Sequence, residues 1–214
     1  MFNNNKKDKI LIFIPAYNVE KKIYNVVKRI PGSIFESDLV DILIINDHSN
    51  DRTSLEIEKI KKNFKYNFDL IDTEKQMGYG GVQKLAFDYS IKKEFDYTIM
   101  LHGDGQYAPE EIPRFISELK NPNLDAVFGS RMMNYRSALK GGMPLYKFLG
   151  NIFLTFIQNL ILNSKISEFH SGYRSFKVET LKKINFLELP DYYHFDTEII
   201  IKLLKNKMNV KEIY

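Results

Sequence analysis

The chain has 214 residues, of which 44% are hydrophobic and 27% charged, and its formal net charge is +4. This length suits one well-buried domain, and the composition is that of an ordinary soluble globular protein. The mild basic excess is interleaved with acidic and apolar residues, so we expect no nucleic-acid partner. The chain has no cysteine, which excludes disulfides, thiolate metal sites and cysteine nucleophiles.

The two ends of the chain give further expectations. Met1 and Phe2 are followed by three asparagines and two lysines, and this polar start has no apolar core of the kind found in signal peptides. We therefore expect a cytoplasmic protein. Residues 208–214 alternate like a strand and then stop without a turn, which suggests a C-terminally truncated chain.

Apolar runs alternate with helical patterns along the first 130 residues. The predicted strands cover Lys9 to Ile14, Leu39 to Ile45, Phe68 to Ile71, Tyr97 to Leu101 and Leu124 to Gly129. The predicted helices cover Val19 to Ile30, Asp51 to about Asn63, residues 78 to about 93, and a segment that starts at Ala108. This alternation predicts an α/β fold with a mostly parallel sheet and helices on both faces. Pro15 is expected to end the first strand.

The regular alternation is lost from Met132 onward. We therefore expect a single domain of residues 1–214, in which residues 1–130 bind one ligand and residues 131–214 bind a second.

A helical stripe of apolar residues runs from Leu145 to Ile161. Polar residues off the stripe make an isolated transmembrane span improbable, so we expect the stripe to pack on the domain. A helix in the membrane interface, near a lipid acceptor, is the alternative. Arg136, Lys140 and Lys147 would then face an anionic headgroup.

Four segments that follow predicted strands carry polar or glycine-rich sequences. Residues 15–20 include an aromatic ring suited to packing a base, and residues 46–51 include carboxylates that can accept from a base or a ribose. At residues 78–81, backbone N–H groups could face an anion, although a tight turn into a helix explains these glycines almost equally well. Residues 102–106 offer oxygen-rich ligands for Mg²⁺ or Mn²⁺, with a plain polar turn as the alternative. Because βα loops of a parallel sheet share one edge, these segments together predict a nucleotide-diphosphate pocket with a metal.

Six short motifs occur in a fixed order along nearly the whole chain. They are Ile14-Pro15-Ala16-Tyr17-Asn18, Asn46-Asp47-His48-Ser49, Gly78-Tyr79-Gly80, Gly103-Asp104-Gly105-Gln106, Gly129-Ser130-Arg131 and Ser171-Gly172-Tyr173-Arg174. Each is weak alone, but the ordered set resembles family 2 glycosyltransferases of the GT-A fold, especially polyprenyl-phosphate sugar synthases of the dolichyl-phosphate mannose synthase kind. This resemblance implies an inverting, metal-dependent enzyme with a UDP- or GDP-linked sugar donor. Its acceptor would be polyprenyl phosphate, or alternatively a glycan hydroxyl, and the enzyme would sit in the cytoplasm, in possible peripheral contact with the membrane.

The resemblance also implies roles for individual residues. The nucleotide would contact Pro15, Ala16, Tyr17, Glu20, Asp47, Gly78, Gly80, Lys84, His102 and Gly103. Mg²⁺ or Mn²⁺ would bind to His102, Asp104 and Gln106. The phosphate and acceptor groups would contact Arg131, Ser171, Gly172 and Arg174. For the two arginines, ion pairs with carboxylates such as Glu168 or Asp196 are the alternative.

Two positions depart from the family pattern. The family's metal motif usually begins with Asp, and this chain has His102 at that position. The family's nucleoside motif usually has two adjacent acids, and here Asn46 replaces the first of them. His102 can still ligate a metal or hydrogen-bond a ribose or phosphate, with a buried structural histidine as the alternative. A nucleotide-sugar-binding pseudoenzyme is therefore the rival to an active transferase.

The catalytic candidates are Asp104, Asp196 and Glu198. Asp196 and Glu198 open the last predicted helix, and one of them would be the general base that a hydroxyl acceptor requires and a lipid phosphate does not. Two residues apart in a helix, they point to different faces, so at most one can serve. Acids at a helix start can also simply complement the helix dipole.

Overall fold

A sheet of mostly apolar strands runs through the centre of the molecule. The computed structural model describes residues 7–134 and 144–214. Within these ranges the strands are β1 (Lys9–Ala16), β2 (Leu39–Asn46), β3 (Asn67–Asp72), β4 (Tyr97–Met100), β5 (Ala126–Gly129), β6 (Arg174–Lys177) and β7 (Val210–Ile213). The helices are α1 (Ile23–Lys28), α2 (Ser33–Ser37), α3 (Thr53–Asn63), α4 (Gly78–Lys92), α5 (Ile112–Leu119), α6 (Leu145–Leu162), α7 (Val178–Lys183) and α8 (Phe195–Lys205). Short 3₁₀ turns cover Pro109–Glu111, Arg131–Met133 and Phe186–Glu188.

The described strands form one sheet in the order β3-β2-β1-β4-β6-β5-β7. The first four pair in parallel, β6 runs antiparallel between β4 and β5, and β7 is parallel to β5. Ile10, Ile12 and Ile14 pack into the core on one face, whereas Leu11 and Phe13 pack into the core on the other. This alternation follows from the two-residue period of a strand. The predicted α/β fold, with a mostly parallel sheet covered on both faces, is confirmed.

The sequence was less informative about where some elements end. The prediction that Pro15 ends the first strand is wrong, because β1 pairs with β2 through Ala16. The Pro15 carbonyl still accepts the Gly103 N–H beyond the end of β4, so the missing proline N–H does not end the strand. Helix α1 begins at Ile23 rather than Val19, since Lys22, with a φ of −125°, lies outside the helical region. The short elements α2, β6 and α7 lacked a recognisable pattern.

Helix α6 leaves most of its apolar stripe exposed, contrary to the expected orientation. Only Phe148 and Thr155 are buried, and Phe153 and Phe156 are 63% and 65% exposed. The polar side holds the helix instead, because the Asn159 side chain donates to the Ile166 carbonyl at 2.7 Å and accepts from its N–H at 2.9 Å. The apolar stripe thus packs on the domain only in part: Phe148 is buried beside Met132, with Ile152 against them, and most of the other stripe residues are exposed. By length and composition, α6 is also apolar enough to cross a membrane.

Candidate active site

A cleft of about 880 Å³ opens at the carboxyl ends of the parallel strands, a size typical of ligand pockets. The predicted site residues that line it are Pro15, Ala16, Tyr17, Asp47, Gly78, His102, Gly103, Asp104, Gln106, Gly172 and Asp196. All four predicted loops thus meet at one edge of the sheet. Lining residues from the second part of the chain include His170, Asp191, Tyr192 and Tyr193.

Asp47 is buried and connects the β2 loop to the start of α4. Its carboxylate accepts the Met77 N–H at 2.7 Å and the Gly78 N–H at 3.1 Å. The Gly80 N–H donates to the Asp191 carbonyl at 2.8 Å. These N–H groups therefore already have protein acceptors, which favours the tight turn over the anion site.

A tight turn accounts for the glycines of this loop. Gly78 has a φ of +81°, which favours glycine. A Cβ at Gly80 would lie 2.4 Å from the Pro190 carbonyl oxygen. The glycines thus let α4 approach the segment at residues 190–191.

Asn46, the first departure from the family pattern, has a complete set of partners. Its amide donates to Asp72 at 2.7 Å and to Ser54 at 2.9 Å, and its oxygen accepts from Ser49 at 2.6 Å. A carboxylate at this position would face Asp72 and repel it. The amide is therefore explained by its local surroundings.

Glu20 and Lys84 lie outside the cleft, although both were expected to contact the nucleotide. Glu20 accepts the Arg52 N–H at 2.9 Å, next to the start of α3. Lys84 pairs with Asp191 at 2.8 Å. Both side chains tie loops together, and their nucleotide contacts stay a prediction that the cleft lining does not support. Asp51 also has a local role, because its carboxylate accepts the Thr53 N–H at 2.9 Å at the start of α3.

Asp104 and Gln106 follow β4 and lie on the wall of the cleft. Asp104 is half-buried, and its carboxylate accepts the Gln106 N–H at 3.0 Å. Among the described residues, no three acidic, histidine or cysteine side chains are grouped closely enough to hold a metal. Mg²⁺ usually takes one or two carboxylates and completes its shell with phosphate oxygens and water. The single carboxylate of Asp104, with the amide oxygen of Gln106, fits such an open site.

Tyr79, His102 and Asp196 form a hydrogen-bonded group at the floor of the cleft. The Tyr79 hydroxyl donates to the Asp196 carboxylate at 2.8 Å and lies 3.4 Å from His102 Nε2. Burial raises the pKa of Tyr79 well above its usual value, and the charge of Asp196 adds to this shift. Burial also lowers the pKa of His102, against the opposing effect of Asp104 and Asp196. Both shifts favour the neutral form of the ring.

The two acids at the start of α8 have different surroundings. Asp196 is buried and lines the cleft, whereas Glu198 is not among the lining residues. Of the two acids, Asp196 is therefore the one placed to act as a general base in the cleft.

Arg174 is fully buried and does not reach the cleft. Its guanidinium donates to the main-chain carbonyls of Phe169, Ser171 and Asp196 at 2.9, 2.7 and 2.6 Å. It also lies 3.6 Å from the Asp196 carboxylate. The predicted phosphate contact is wrong for Arg174, and the alternative of an arginine tied to Asp196 holds. Ser171 is buried beside it and does not line the cleft either.

Comparison with known proteins identifies the family. Residues 11–184 match the sequence profile of Glycosyl transferase family 2. The chain belongs to this family.

Two relatives illustrate the family in which the chain falls. It is 29% identical to UDP-N-acetylglucosamine--dolichyl-phosphate N-acetylglucosaminyltransferase of Methanococcus voltae, over 95% of this chain and 83% of that protein. It is 22% identical to polyprenol monophosphomannose synthase of Mycolicibacterium smegmatis, over 95% of this chain and 75% of that protein. The resemblance to polyprenyl-phosphate sugar synthases is thus confirmed.

The fold agrees with a solved glycosyltransferase. A crystal structure of glucosyl-3-phosphoglycerate synthase from Mycobacterium tuberculosis, in complex with Mn²⁺, UDP and phosphoglyceric acid, matches with a TM-score of 0.70 at 14% identity. The match covers 96% of this chain and 68% of that one. The GT-A fold implied by the sequence is confirmed.

Arg131 lies at the edge of the glycosyltransferase cleft, with 44% of its side chain exposed. Its guanidinium pairs with the buried Glu168 at 3.2 Å and stands 5.9 Å over the ring of Tyr107, which lines the cleft. Gly172 is held there as well, since its N–H donates to the Tyr107 hydroxyl at 2.7 Å. The ion-pair alternative with Glu168 thus holds for Arg131 as well, and its phosphate contact stays a prediction that the partly exposed side chain permits.

Several lining residues had no assigned role in the sequence-based prediction. Tyr79 lay within a quoted motif, but its bond to Asp196 spans 117 positions of the chain. Asp191, Tyr192 and Tyr193 immediately precede α8 and belong to no recognised motif. The aromatic run before the two acids was the available signal for this wall of the cleft.

Proposed function

We propose that this glycosyltransferase moves a sugar from a nucleoside-diphosphate donor to polyprenyl phosphate, with inversion at the anomeric carbon. The observation that carries the proposal is the single cleft in which Tyr17, Asp47 and Asp104 lie together. The relatives named for dolichyl-phosphate and polyprenol acceptors support the choice of acceptor. The donor is UDP- or GDP-linked, with Tyr17 packing against the base.

A divalent cation fits the oxygen donors on the cleft wall. Asp104 and Gln106 would hold Mg²⁺ or Mn²⁺, with His102 beside them. When bound, the ion neutralises the charge that develops on the departing nucleoside diphosphate. The solved structure with Mn²⁺ and UDP supports the use of such an ion in this fold.

The chain's own residues supply the remaining parts of the reaction. Arg131, at the rim, would attract the acceptor phosphate, for which a guanidinium is a suitable partner. A lipid phosphate is already anionic near neutral pH and therefore needs no general base. Single displacement at the anomeric carbon then requires only that the cleft hold the two substrates in line.

Transfer to a glycan hydroxyl is the second candidate, and the position of Asp196 favours it. This buried carboxylate faces the cleft and accepts from Tyr79 at 2.8 Å and from Gln83 at 3.2 Å. A carboxylate held in this way could take the proton of an acceptor hydroxyl. It would instead repel an acceptor phosphate that came close.

The exposed apolar side of α6 supports peripheral contact with the cytoplasmic face of a membrane. Phe153, Phe156 and Leu160 are 63%, 65% and 73% exposed. Lys147 is exposed near the start of the same helix, where it could meet anionic headgroups. Arg136 and Lys140, which were expected to share this role, lie outside the described residues.

The test is transfer of labelled sugar by the Asp104→Asn variant. Asparagine still accepts the Gln106 N–H, so the fold should persist while cation binding is lost. We expect the rate with Mn²⁺ to fall by about 100-fold or more, because metal stabilisation of the leaving group is worth several kcal/mol. Asp88→Asn is the matched control, since this acid pairs with Lys92 on the outer side of α4.

The position of the label distinguishes the alternatives. Polyprenyl phosphate as acceptor predicts label in the organic phase, in wild type and in Asp88→Asn. Label found only in a water-soluble glycan would favour the hydroxyl acceptor. Nucleotide binding without turnover under any cation would identify a pseudoenzyme and reject the proposal.

A further inference from the structure

His102 stands where the family usually has an aspartate, and its Nε2 edge is tightly enclosed. Nε2 lies 3.4 Å from the Tyr79 hydroxyl. A Cβ at Gly172 would come within 2.5 Å of the same nitrogen. The imidazole also lies between the rings of Tyr79 and Tyr107, with centroids 5.7 and 5.0 Å away.

The single hydroxyl proton of Tyr79 is committed to Asp196. The two oxygens are 2.8 Å apart. Asp196 is an acceptor, because Gln83 Nε2 donates to its other oxygen at 3.2 Å and the Arg174 guanidinium lies 3.6 Å away. The Tyr79 oxygen therefore faces His102 with lone pairs only.

Two neighbours favour a proton on Nε2 of His102. A neutral imidazole has one N–H, and only an Nε2–H can make a favourable contact with the Tyr79 oxygen. The backbone of Gly172, which lies against Nε2, also makes a hydrogen bond with the imidazole. We propose that Tyr79 is a positioning residue that, together with the Gly172 backbone, holds His102 in the Nε2–H tautomer and leaves Nδ1 unprotonated. The hydrogen bond made by one ring nitrogen commonly sets the state of the other in this way.

An unprotonated Nδ1 gives this position a lone pair without a negative charge. It can accept from a substrate hydroxyl or coordinate a divalent cation, as a carboxylate at the same place could. The inference deepens the proposed function and rests on the same cleft. It explains how a transferase can have histidine instead of the usual aspartate and still keep a lone pair for a hydrogen bond or a cation at this position.

The tautomer can be read directly by nitrogen-15 NMR of the full chain, without nucleotide or metal, at a pH above neutrality. The chain has four histidines, and a His102→Gln variant identifies the signals of His102. We expect a protonated-type Nε2 and an unprotonated-type Nδ1. In Tyr79→Phe, the Nδ1–H population should rise by roughly tenfold, which corresponds to the loss of one net hydrogen bond.

Tyr193→Phe is the matched control. Its ring stacks on Tyr79 at 5.5 Å and the residue is 83% exposed, so the His102 signals should not change. A protonated Nδ1 in wild type would overturn the inference, as would an unaltered tautomer in Tyr79→Phe. If Tyr79→Phe does not fold, the wild-type spectrum alone decides the question. Because these spectra need no turnover, a failure here is distinguishable from a failure of the transfer assay.

Discussion

Arg131 and Arg174 share one predicted role but lie in different environments. Arg174 is fully buried and donates to three main-chain carbonyls. Arg131 is partly exposed and pairs with Glu168 at the cleft edge. A buried guanidinium with this many acceptors holds the chain in place, whereas an accessible one can also bind a ligand.

Replacing each arginine by methionine should separate these roles. Arg174→Met leaves three buried carbonyl acceptors without their donor and removes the positive charge beside Asp196, so we expect the free energy of unfolding to fall by about 3–5 kcal/mol. Arg131→Met should lower the free energy of unfolding by only about 1 kcal/mol, because Glu168 still accepts the main-chain N–H of residue 131. Its main effect should be a higher KM for the acceptor. Urea denaturation and steady-state kinetics measure the two effects. Unchanged stability in Arg174→Met, together with a raised acceptor KM, would restore its phosphate role.

Sequence motifs located the cleft but not the partners of its side chains. Tyr17, Asp47 and Asp104 were predicted to meet, and they do. The motifs could not show that Asp47 accepts backbone N–H groups some thirty positions away. They also could not show that Glu20 does the same for Arg52. Such bonds depend on how distant loops pack, and residue type alone leaves both roles open.

Helix α6 presents the same difficulty at the level of an element. Its periodicity predicted one apolar side correctly, because spacing fixes which residues share a helix face. Spacing does not fix which face meets the domain. The paired hydrogen bonds between Asn159 and Ile166 hold the polar side inward, whereas Phe153 and Phe156 are exposed.

The exposed side of α6 should bind anionic vesicles. We expect the double change Phe153→Glu and Phe156→Glu to weaken co-sedimentation with such vesicles by at least about tenfold, since burying one Phe is worth about 1.5–3 kcal/mol. The melting temperature should stay the same, because both side chains are already exposed. Leu55→Glu serves as control, as it is 60% exposed on α3, which packs at the other end of the sheet. Equal vesicle binding by the double variant and wild type would remove α6 as the membrane contact.

Across the whole molecule, both parts of the chain build the cleft. The first part supplies the ends of β1, β2 and β4, and the second supplies Gly172, Asp191 and Asp196. Hydrogen bonds from Gly80 to Asp191 and from Tyr79 to Asp196 join the two parts. A ligand in the cleft therefore contacts segments distant in sequence, and its binding should stabilise the fold as a unit.

This coupling makes thermal unfolding a direct assay for the donor. A ligand that binds only the native state at about 100 times its Kd adds roughly 2.7 kcal/mol to the unfolding free energy. We expect the matching UDP- or GDP-sugar, with Mn²⁺, to raise the melting temperature in a concentration-dependent way. EDTA should remove most of that rise in wild type and in Asp88→Asn. In Asp104→Asn the rise in melting temperature should already be small before EDTA is added. A rise that is insensitive to EDTA and to Asp104→Asn would mean that the nucleotide binds here without the cation, because both treatments act only on the metal-dependent share of the affinity.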